Sequence, residues 1–262
     1  MPHSFRQQRF PNPNRAEALR WGANQAVLRS GQMIFAVFSQ FQDNPAALLA
    51  YLAAFAVALV TGLAFHEFCH AWSAYQLGDT TAYRAGRMTL NPIKHLDPIG
   101  TVLIFVVGFG MAKPTPVNPY RLRHGPVVGR AMVAVAGPLS NFVVAAIAAL
   151  PLKAGWIVSV ASLARIGDAS GEQIIGLFLV FVIFLNVLLG IFNLIPIPPL
   201  DGFAVARVIL PRELRERAEG FRQWGLGLLM LLFVIAFASG GRINPIGGLI
   251  SAVSSVIFPL IT

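Results

Sequence analysis

Residues 45–72 read PAALLAYLAAFAVALVTGLAFHEFCHAW, an apolar segment that ends in two histidines and a glutamate. From Asn44 to Phe65 no side chain is charged, and about 20 mainly apolar residues are enough for a helix that crosses a bilayer. A charged side chain at the centre of such a helix costs at least roughly 2.5–3.5 kcal/mol. The ionisable side chains at the end of this segment, His66, Glu67 and His70, therefore indicate a function.

The composition indicates an integral membrane protein. Of the 262 residues, 56% are hydrophobic and 12% are charged, whereas an ordinary soluble domain has about 25% charged residues. The mean hydropathy is +0.67. The net charge of +9 comes from bases in short segments between apolar runs, as in cytoplasmic loops of membrane proteins, so it does not indicate nucleic-acid binding. The single cysteine excludes an internal disulfide and a zinc site made of cysteines alone.

The apolar segments predict an all-α, polytopic bundle of about 4–6 transmembrane helices. Four segments are long enough to span or nearly so: residues 44–66, 131–152, 173–200 and 223–241. The first continues through His70 and should stop at Gly78. Two weaker segments, 26–41 and 245–262, either span or lie at the interface. Residues 98–112 are too short to cross as a helix, and their Val, Ile, Phe and Gly content predicts a short re-entrant, β-like segment.

The charges between these segments predict domains and orientation. Residues 1–44 form a basic N-terminal tail with an amphipathic or transmembrane helix, and residues 45–262 form the membrane-embedded domain. The loop 153–172 is charge-balanced, and three other loops are basic: 78–97, 113–130 and 207–222. Because cytoplasmic loops concentrate Lys and Arg, we expect the HEFCH end of its helix to face the cytoplasm.

The histidines have the spacing of a zinc site. Four residues apart on a helix, His66 and His70 project from one face, one turn apart. This spacing lets two imidazoles bind one zinc ion while Glu67 reaches a water molecule on the metal. A bare HExxH match in a soluble protein is more often accidental than catalytic. In a membrane helix an accidental match is less frequent, because ionisable side chains there are energetically costly.

Catalytic zinc usually has three protein ligands, so one more is needed. Asp201 is the predicted third ligand, because prolines at 196, 198 and 199 forbid a regular helix before it, and irregular backbone at membrane depth requires surrounding protein or a water-filled cavity. Other candidates lie in the tail, in the loops, or about 100° or more around the helix from the histidines. They are His3, Cys69, His95, Asp97 and His124.

Five motifs in order resemble the site-2 protease family of intramembrane zinc metalloproteases, in its compact form without an inserted PDZ domain. They are FHEFCHAW (65–72), LNPIKHLDPIGT (90–101), GFGMAKPTPVNP (108–119), AGPLSN (136–141) and FNLIPIPPLDG (192–202). The resemblance, which covers roughly residues 63–210, implies one zinc ion per chain held by His66, His70 and Asp201, with Glu67 as the catalytic base. It implies an endopeptidase that cuts transmembrane segments of membrane-protein substrates, as in regulated intramembrane proteolysis.

The substrate of such an enzyme has to be locally extended, because helical carbonyls are hydrogen-bonded. The β-prone stretch around Gly108, Phe109 and Gly110 could form an edge to which an unwound substrate adds as a strand, and the resemblance implies the same. Asn141 and Asn193 lie in apolar spans, where each either hydrogen-bonds another helix or orients the substrate or a ligand. The resemblance favours a site role for Asn141. The pair Gly137–Pro138 predicts a kink that opens room beside the metal.

Two other classes of function also place such residues in a membrane protein. A metal-ion transporter or channel also places His, Glu and Asp in the membrane, but the HExxH spacing and the lack of an evident internal repeat disfavour it. A catalytically silent substrate-binding relative is disfavoured because every expected catalytic residue is present. The expected partners are a membrane-protein substrate and the lipid bilayer, without nucleic acid, and the expected location is a bacterial plasma membrane.

Overall fold

The computed structural model describes residues 45–97, 112–157, 171–239 and 244–261. Within these ranges the protein consists of α-helices and short 3₁₀ turns, without strands. The helices are α1 (Pro45–Gln76), α2 (Thr81–Arg84), α3 (Gly125–Lys153), α4 (Gly171–Asn193), α5 (Asp201–Ile209), α6 (Arg212–Phe221), α7 (Gly225–Ala238) and α8 (Pro245–Ile261). The 3₁₀ turns are Pro92–Lys94, Pro119–Arg121 and Arg222–Trp224. The all-α prediction is confirmed, whereas the predicted N-terminal helix at 26–41 and nearly all of the β-like segment lie outside the described residues.

Helix α1 carries the HEFCH sequence as its continuation, without a break, as the sequence predicts. Pro45 stands at its first position, where the missing N–H costs nothing. The helix ends at Gln76, and Gly78 just beyond it has a φ of +102°, a conformation that glycine adopts readily. There the N–H of Asp79 donates to the carbonyl of Ala74 at 2.9 Å and that of Gly78 to Tyr75 at 3.0 Å, which is a Schellman motif.

Four segments of the described chain are long and apolar enough to cross a membrane: Leu48–Gln76, Gly125–Lys153, Gly171–Asn193 and Arg212–Ala236. The predicted span at 173–200 is too long at its C-terminal end. Helix α4 stops at Asn193, and the proline-containing residues 194–200 form turns instead. The fourth segment runs through α6, a 3₁₀ turn and α7, and α8 is a shorter apolar helix.

Helix α3 lies at the centre of the bundle, where it packs against α1, α4 and α5. Helix α1 also packs against α4, and α8 covers parts of α4 and α3. The buried core uses small side chains, among them Ala58, Ala145 and Ala148, beside larger ones such as Val182 and Ile183. Small residues let helix backbones approach closely, which is how membrane helices gain packing contacts without a hydrophobic driving force. The fold therefore holds α1 tightly against α3, the arrangement that forms the site.

Hydrogen bonds connect the two segments that flank residues 98–111. The N–H of Lys113 donates to the carbonyl of His95 at 2.8 Å. The guanidinium of Arg87, which is buried, donates to the carbonyls of Lys94 and Lys113. Farther along, the N–H of Asn118 donates to the carboxylate of Asp79 at 2.6 Å. These bonds fix residues 112–118 against the end of α1, beside the HEFCH motif.

Candidate metal centre

Three side chains predicted to bind metal lie together in the structure. Nε2 of His66 is 3.0 Å from Nε2 of His70, and these two atoms are 3.1 Å and 3.2 Å from Oδ2 of Asp201. Both histidines are buried. Among the described residues, this is the one group of His, Cys, Asp or Glu side chains that converges in this way. The sequence separation of 131 residues between His70 and Asp201 is closed by α5 packing on α3.

Asp201 reaches the histidines because the chain turns sharply just before α5. A Cβ on Gly202 would lie 2.0 Å from the carbonyl oxygen of Leu194 and 2.6 Å from that of Ile195. Only glycine allows this close approach of the backbone to residues 194–195. The glycine of the LDG motif is thus needed to bring the aspartate before it to the site.

The hydrogen bonds behind the imidazoles fix which nitrogen faces the centre. Nδ1 of His70 donates to the carbonyl of Val133 at 2.8 Å, because a carbonyl oxygen only accepts. Nδ1 of His66 lies 2.7 Å from Oδ1 of Asn141, and this amide oxygen also accepts. Each neutral imidazole therefore turns the lone pair of Nε2 toward the carboxylate of Asp201. A single proton can bridge only two of these three atoms, whereas a metal cation between them could contact all three.

The spacing of the three atoms fits zinc. Zinc lies about 2.0–2.1 Å from nitrogen and oxygen ligands, which in a tetrahedral site separates two ligands by about 3.3–3.4 Å. The separations of 3.0–3.2 Å are within a few tenths of an ångström of this value. Three protein ligands leave the fourth position of a tetrahedral ion for water, which is the arrangement of catalytic zinc sites.

The environment of Asp201 keeps its carboxylate ionised. Burial alone would raise the pKa of Asp201, but in the protonated form of the cluster, in which the imidazoles carry protons on Nε2, the positive charge of His70 and hydrogen bonds from His66 and His70 hold the pKa well below its usual range. A bound cation acts in the same direction. The carboxylate is therefore available as a ligand.

Gly137 supplies the space in which the imidazoles lie. A Cβ at this position would be 2.5 Å from Cε1 and Nε2 of His70 and 2.7 Å from Cε1 of His66. On α3, Val133, Gly137 and Asn141 are spaced by four residues and form one stripe against the two histidines. The stripe holds both rings from behind and leaves no room for a side chain between its two contacts.

Glu67, next to His66 on α1, is held by Thr115. Oε2 of Glu67 accepts from the N–H of Thr115 at 3.0 Å and from its hydroxyl at 2.7 Å. The same hydroxyl lies 3.2 Å from the backbone carbonyl of Glu67. Thr115 thus fixes one carboxylate oxygen and leaves Oε1 for another partner. The role of Thr115 could not be predicted from the sequence, because a threonine between two prolines in a loop belongs to no periodic pattern.

Asn141 is fully buried and bridges α1 and α4. Besides its contact with His66, its Nδ2 donates to the carbonyl of Gly62 at 3.2 Å and to Oδ1 of Asn186 at 2.8 Å. Of the roles predicted for Asn141, the structure shows hydrogen bonding between helices. A contact of Asn141 with substrate stays a prediction.

The remaining candidates lie elsewhere or beyond the described residues. Asn193 is half-buried and donates to the carbonyl of Leu189 at 2.9 Å within α4, so its substrate contact also stays a prediction. Nε2 of His95 donates to the carbonyl of Thr89 at 2.7 Å, away from the metal cluster. Cys69, Asp97 and His124 are not in the cluster either. His3 and the predicted substrate edge, Gly108, Phe109 and Gly110, fall outside the described residues.

Comparison with known proteins gives relatives of one kind. The sequence pattern of peptidase family M50 matches residues 151–234, which include Asp201. A Bacillus subtilis protein named "Putative zinc metalloprotease YwhC" is 38% identical over 200 residues, covering 76% of this chain and 87% of the relative. The Mycolicibacterium smegmatis protein "Putative zinc metalloprotease Rip2" is 28% identical over 193 residues, covering 71% and 70%. No solved structure matches significantly. With the HExxH motif inside a membrane helix, these similarities show that the chain belongs to peptidase family M50, the site-2 protease family of membrane zinc metalloproteases.

Proposed function

We propose that this zinc metalloendopeptidase cuts substrates within the membrane, with His66, His70 and Asp201 as the zinc ligands and Glu67 as the general base. The observation that carries the proposal is the convergence of two Nε2 atoms and one carboxylate oxygen at 3.0–3.2 Å inside a bundle of apolar helices. Two of the three ligands belong to the first candidate span, Leu48–Gln76, so the chemistry is built into a membrane helix.

The residues around the ion have separate tasks. When bound, zinc polarises the scissile carbonyl and lowers the pKa of a water molecule to about 7. Glu67 accepts the proton of the attacking water and passes it to the leaving nitrogen, which requires a free carboxylate oxygen and a fixed position. Thr115 supplies the fixed position through two hydrogen bonds to Oε2. Val133 and Asn141 keep the imidazole protons on Nδ1, on the side away from the reaction.

The substrate is a membrane protein with a transmembrane segment that unwinds near the site. Residues 112–118, which contact Glu67 through Thr115, continue from the segment that contains Gly108, Phe109 and Gly110. The N–H of Lys113 donates to the carbonyl of His95, and the guanidinium of Arg87 donates to the carbonyl of Lys113, so residue 113 is held close to the end of α1. An extended substrate that adds as a strand to Gly108–Gly110 would bind close in the chain to the contact of Glu67, since four residues separate Gly110 from Thr115. Cleavage there releases part of a membrane protein, as in regulated intramembrane proteolysis.

The orientation follows from the charges of the loops. The basic segments 78–97, 113–130 and 207–222 lie on the cytoplasmic side, and the residues that follow α1, including Asp79 and Thr115, lie with them. The relatives come from bacteria, which supports the plasma membrane as the location. The proteolytic domain is residues 45–262, which contain every proposed ligand.

The test is cleavage of single-span membrane substrates by purified protein in liposomes, with and without a zinc chelator. We expect cleavage that chelation abolishes and added zinc restores, and about one zinc per chain. His66→Ala should lose zinc and cleavage, and His124→Ala, which changes an exposed histidine outside the cluster, should keep both. Zinc transport across the liposome membrane without any peptide product would instead identify a transporter.

A further inference from the structure

Asn186 is a buried polar residue of α4 whose role the proposed chemistry does not yet explain. It is 0% exposed in the middle of an apolar span, where an amide is retained only with hydrogen-bond partners. Its Nδ2 donates to the carbonyl of Val182 at 2.8 Å, and its Oδ1 accepts from Nδ2 of Asn141 at 2.8 Å. The second bond connects Asn186 to the residue that contacts His66.

The hydrogen bonds of this chain of residues have one direction. The carbonyl of Val182 only accepts, so it fixes which end of the Asn186 amide faces Asn141. Oδ1 of Asn186 then requires that Asn141 present its NH₂ group, which leaves Oδ1 of Asn141 to face His66. An amide oxygen accepts, so Nδ1 of His66 must carry the proton. Asn186, which lies in a different helix, therefore determines through Asn141 that Nε2 of His66 keeps its lone pair.

The reverse orientation of Asn141 would block the site. If its NH₂ group faced His66, Nδ1 would have to accept, and the imidazole proton would move to Nε2. A protonated Nε2 has no lone pair for a metal ion. Two acceptors oppose this reversal, Oδ1 of Asn186 at 2.8 Å and the carbonyl of Gly62 at the longer distance of 3.2 Å.

We propose that Asn186 is a positioning residue of the zinc site, which acts through Asn141 to hold His66 in the tautomer that binds metal. The proposal rests on His66 being a zinc ligand, as proposed above. Outer partners of metal-binding histidines typically contribute about 10–100-fold in metal affinity. Because Asn186 acts through one intermediate and Gly62 remains, we expect its loss to weaken zinc binding about tenfold, at the lower end of that range.

Gly62 provides an independent way to disturb the same contact. A Cβ at Gly62 would lie 2.9 Å from Oδ1 and 3.1 Å from Nδ2 of Asn186. Helix α1 therefore leaves open the space in which the Asn186 amide lies against Asn141. Gly62→Ala should displace this amide although no hydrogen-bonding side chain is replaced.

The test measures the zinc affinity of the purified full-length chain by competition with a chromophoric chelator, without substrate. Asn186→Leu keeps the number of side-chain heavy atoms and the branching at Cγ but removes the acceptor, so zinc should bind about tenfold more weakly. Asn186→Asp, neutral at this buried position, keeps an acceptor for Asn141 and an O–H for Val182, so affinity should return. The control Asn193→Leu removes the matching bond to the carbonyl four residues earlier in α4, and zinc affinity should not change.

The visible spectrum of the cobalt-loaded protein adds a readout of ligand geometry, which should differ from wild type in Asn186→Leu and not in Asn193→Leu. Wild-type zinc affinity in Asn186→Leu, or an equal loss in Asn186→Asp, would overturn the proposal. If Asn186→Leu does not fold, Gly62→Ala decides: unchanged affinity there contradicts the inference. These outcomes are independent of proteolysis. A chain that binds zinc as expected but cuts nothing refutes the proposed function alone.

Discussion

Replacing Gly137 by alanine tests how the site is constructed. The new Cβ would lie 2.5 Å from two ring atoms of His70 and 2.7 Å from His66, where a normal contact is about 3.5–4.0 Å. Each ring would have to move by about 1 Å. Neither can retreat freely, because Val133 and Asn141 of the same helix hold the Nδ1 atoms at 2.8 Å and 2.7 Å.

The displacement exceeds what a metal site tolerates, since ligand distances must hold within about 0.2 Å. We expect zinc affinity to fall by at least about 100-fold, the upper limit for loss of an outer partner, because Gly137→Ala disturbs two ligands at once. The cost in folding stability should be only about 1–3 kcal/mol, as for other overpacked sites. The variant should therefore remain folded in detergent and lack zinc.

Two alanine substitutions serve as controls in the same assay, chelator competition combined with thermal unfolding. Gly129→Ala, also in α3, would place a Cβ 2.7 Å from Cβ of Leu122, so it overpacks the bundle away from the imidazoles. Gly227→Ala meets nothing within 4 Å. We expect both to bind zinc like wild type, with lower stability for Gly129→Ala alone. Wild-type zinc affinity in Gly137→Ala would refute the reasoning from these contacts.

Three further outcomes are expected. Asp201→Ala should reduce zinc content far below one per chain because two imidazoles leave the site a ligand short, and full zinc with full activity would remove Asp201 from the site. Thr115→Val should keep zinc but slow cleavage roughly 10–100-fold, since a hydrogen bond to a charged group contributes about 1.5–3 kcal/mol; an unchanged kcat would contradict the role given to its hydroxyl. In a Cys69→Ser background, a cysteine at position 123 should react with an impermeant reagent only after cells are opened, and labelling of intact cells would reverse the orientation.

The sequence predicts the membrane fold and the three side chains that converge in the structure, because both depend on strong local signals. Long apolar runs identify the spans, and the histidines four residues apart identify a shared helix face. The prediction of Asp201 depends on the residues before it, because three prolines in a membrane-depth segment need a structural reason. The same prolines explain the main error in the helix boundaries, the extension of the third span to residue 200 instead of Asn193.

The contacts behind the ligands could not be predicted, because they join helices that are far apart in the chain. Asn186 contacts Asn141 across 45 residues, and Thr115 contacts Glu67 across 48. Asn186 belongs to none of the five motifs, and Thr115 lies in the motif of residues 108–119 without a pattern that indicates its partner. The Gly137–Pro138 pair predicts space beside the metal through a kink. The structure shows a more direct cause of this space: a Cβ added at Gly137 would collide with both imidazoles, so the space depends on the missing side chain.

The most direct test of the central claim compares wild type with Glu67→Gln on one membrane substrate, with zinc assayed on both. The glutamine amide is nearly isosteric with the carboxylate, and Glu67 is not among the three converging ligands, so both proteins should hold one zinc. Only the proton acceptor is lost, and general-base catalysis typically contributes about 10²–10⁴-fold. We predict that wild type cuts within the transmembrane segment and that zinc-loaded Glu67→Gln leaves the substrate intact. Equal cleavage by both proteins would contradict the account.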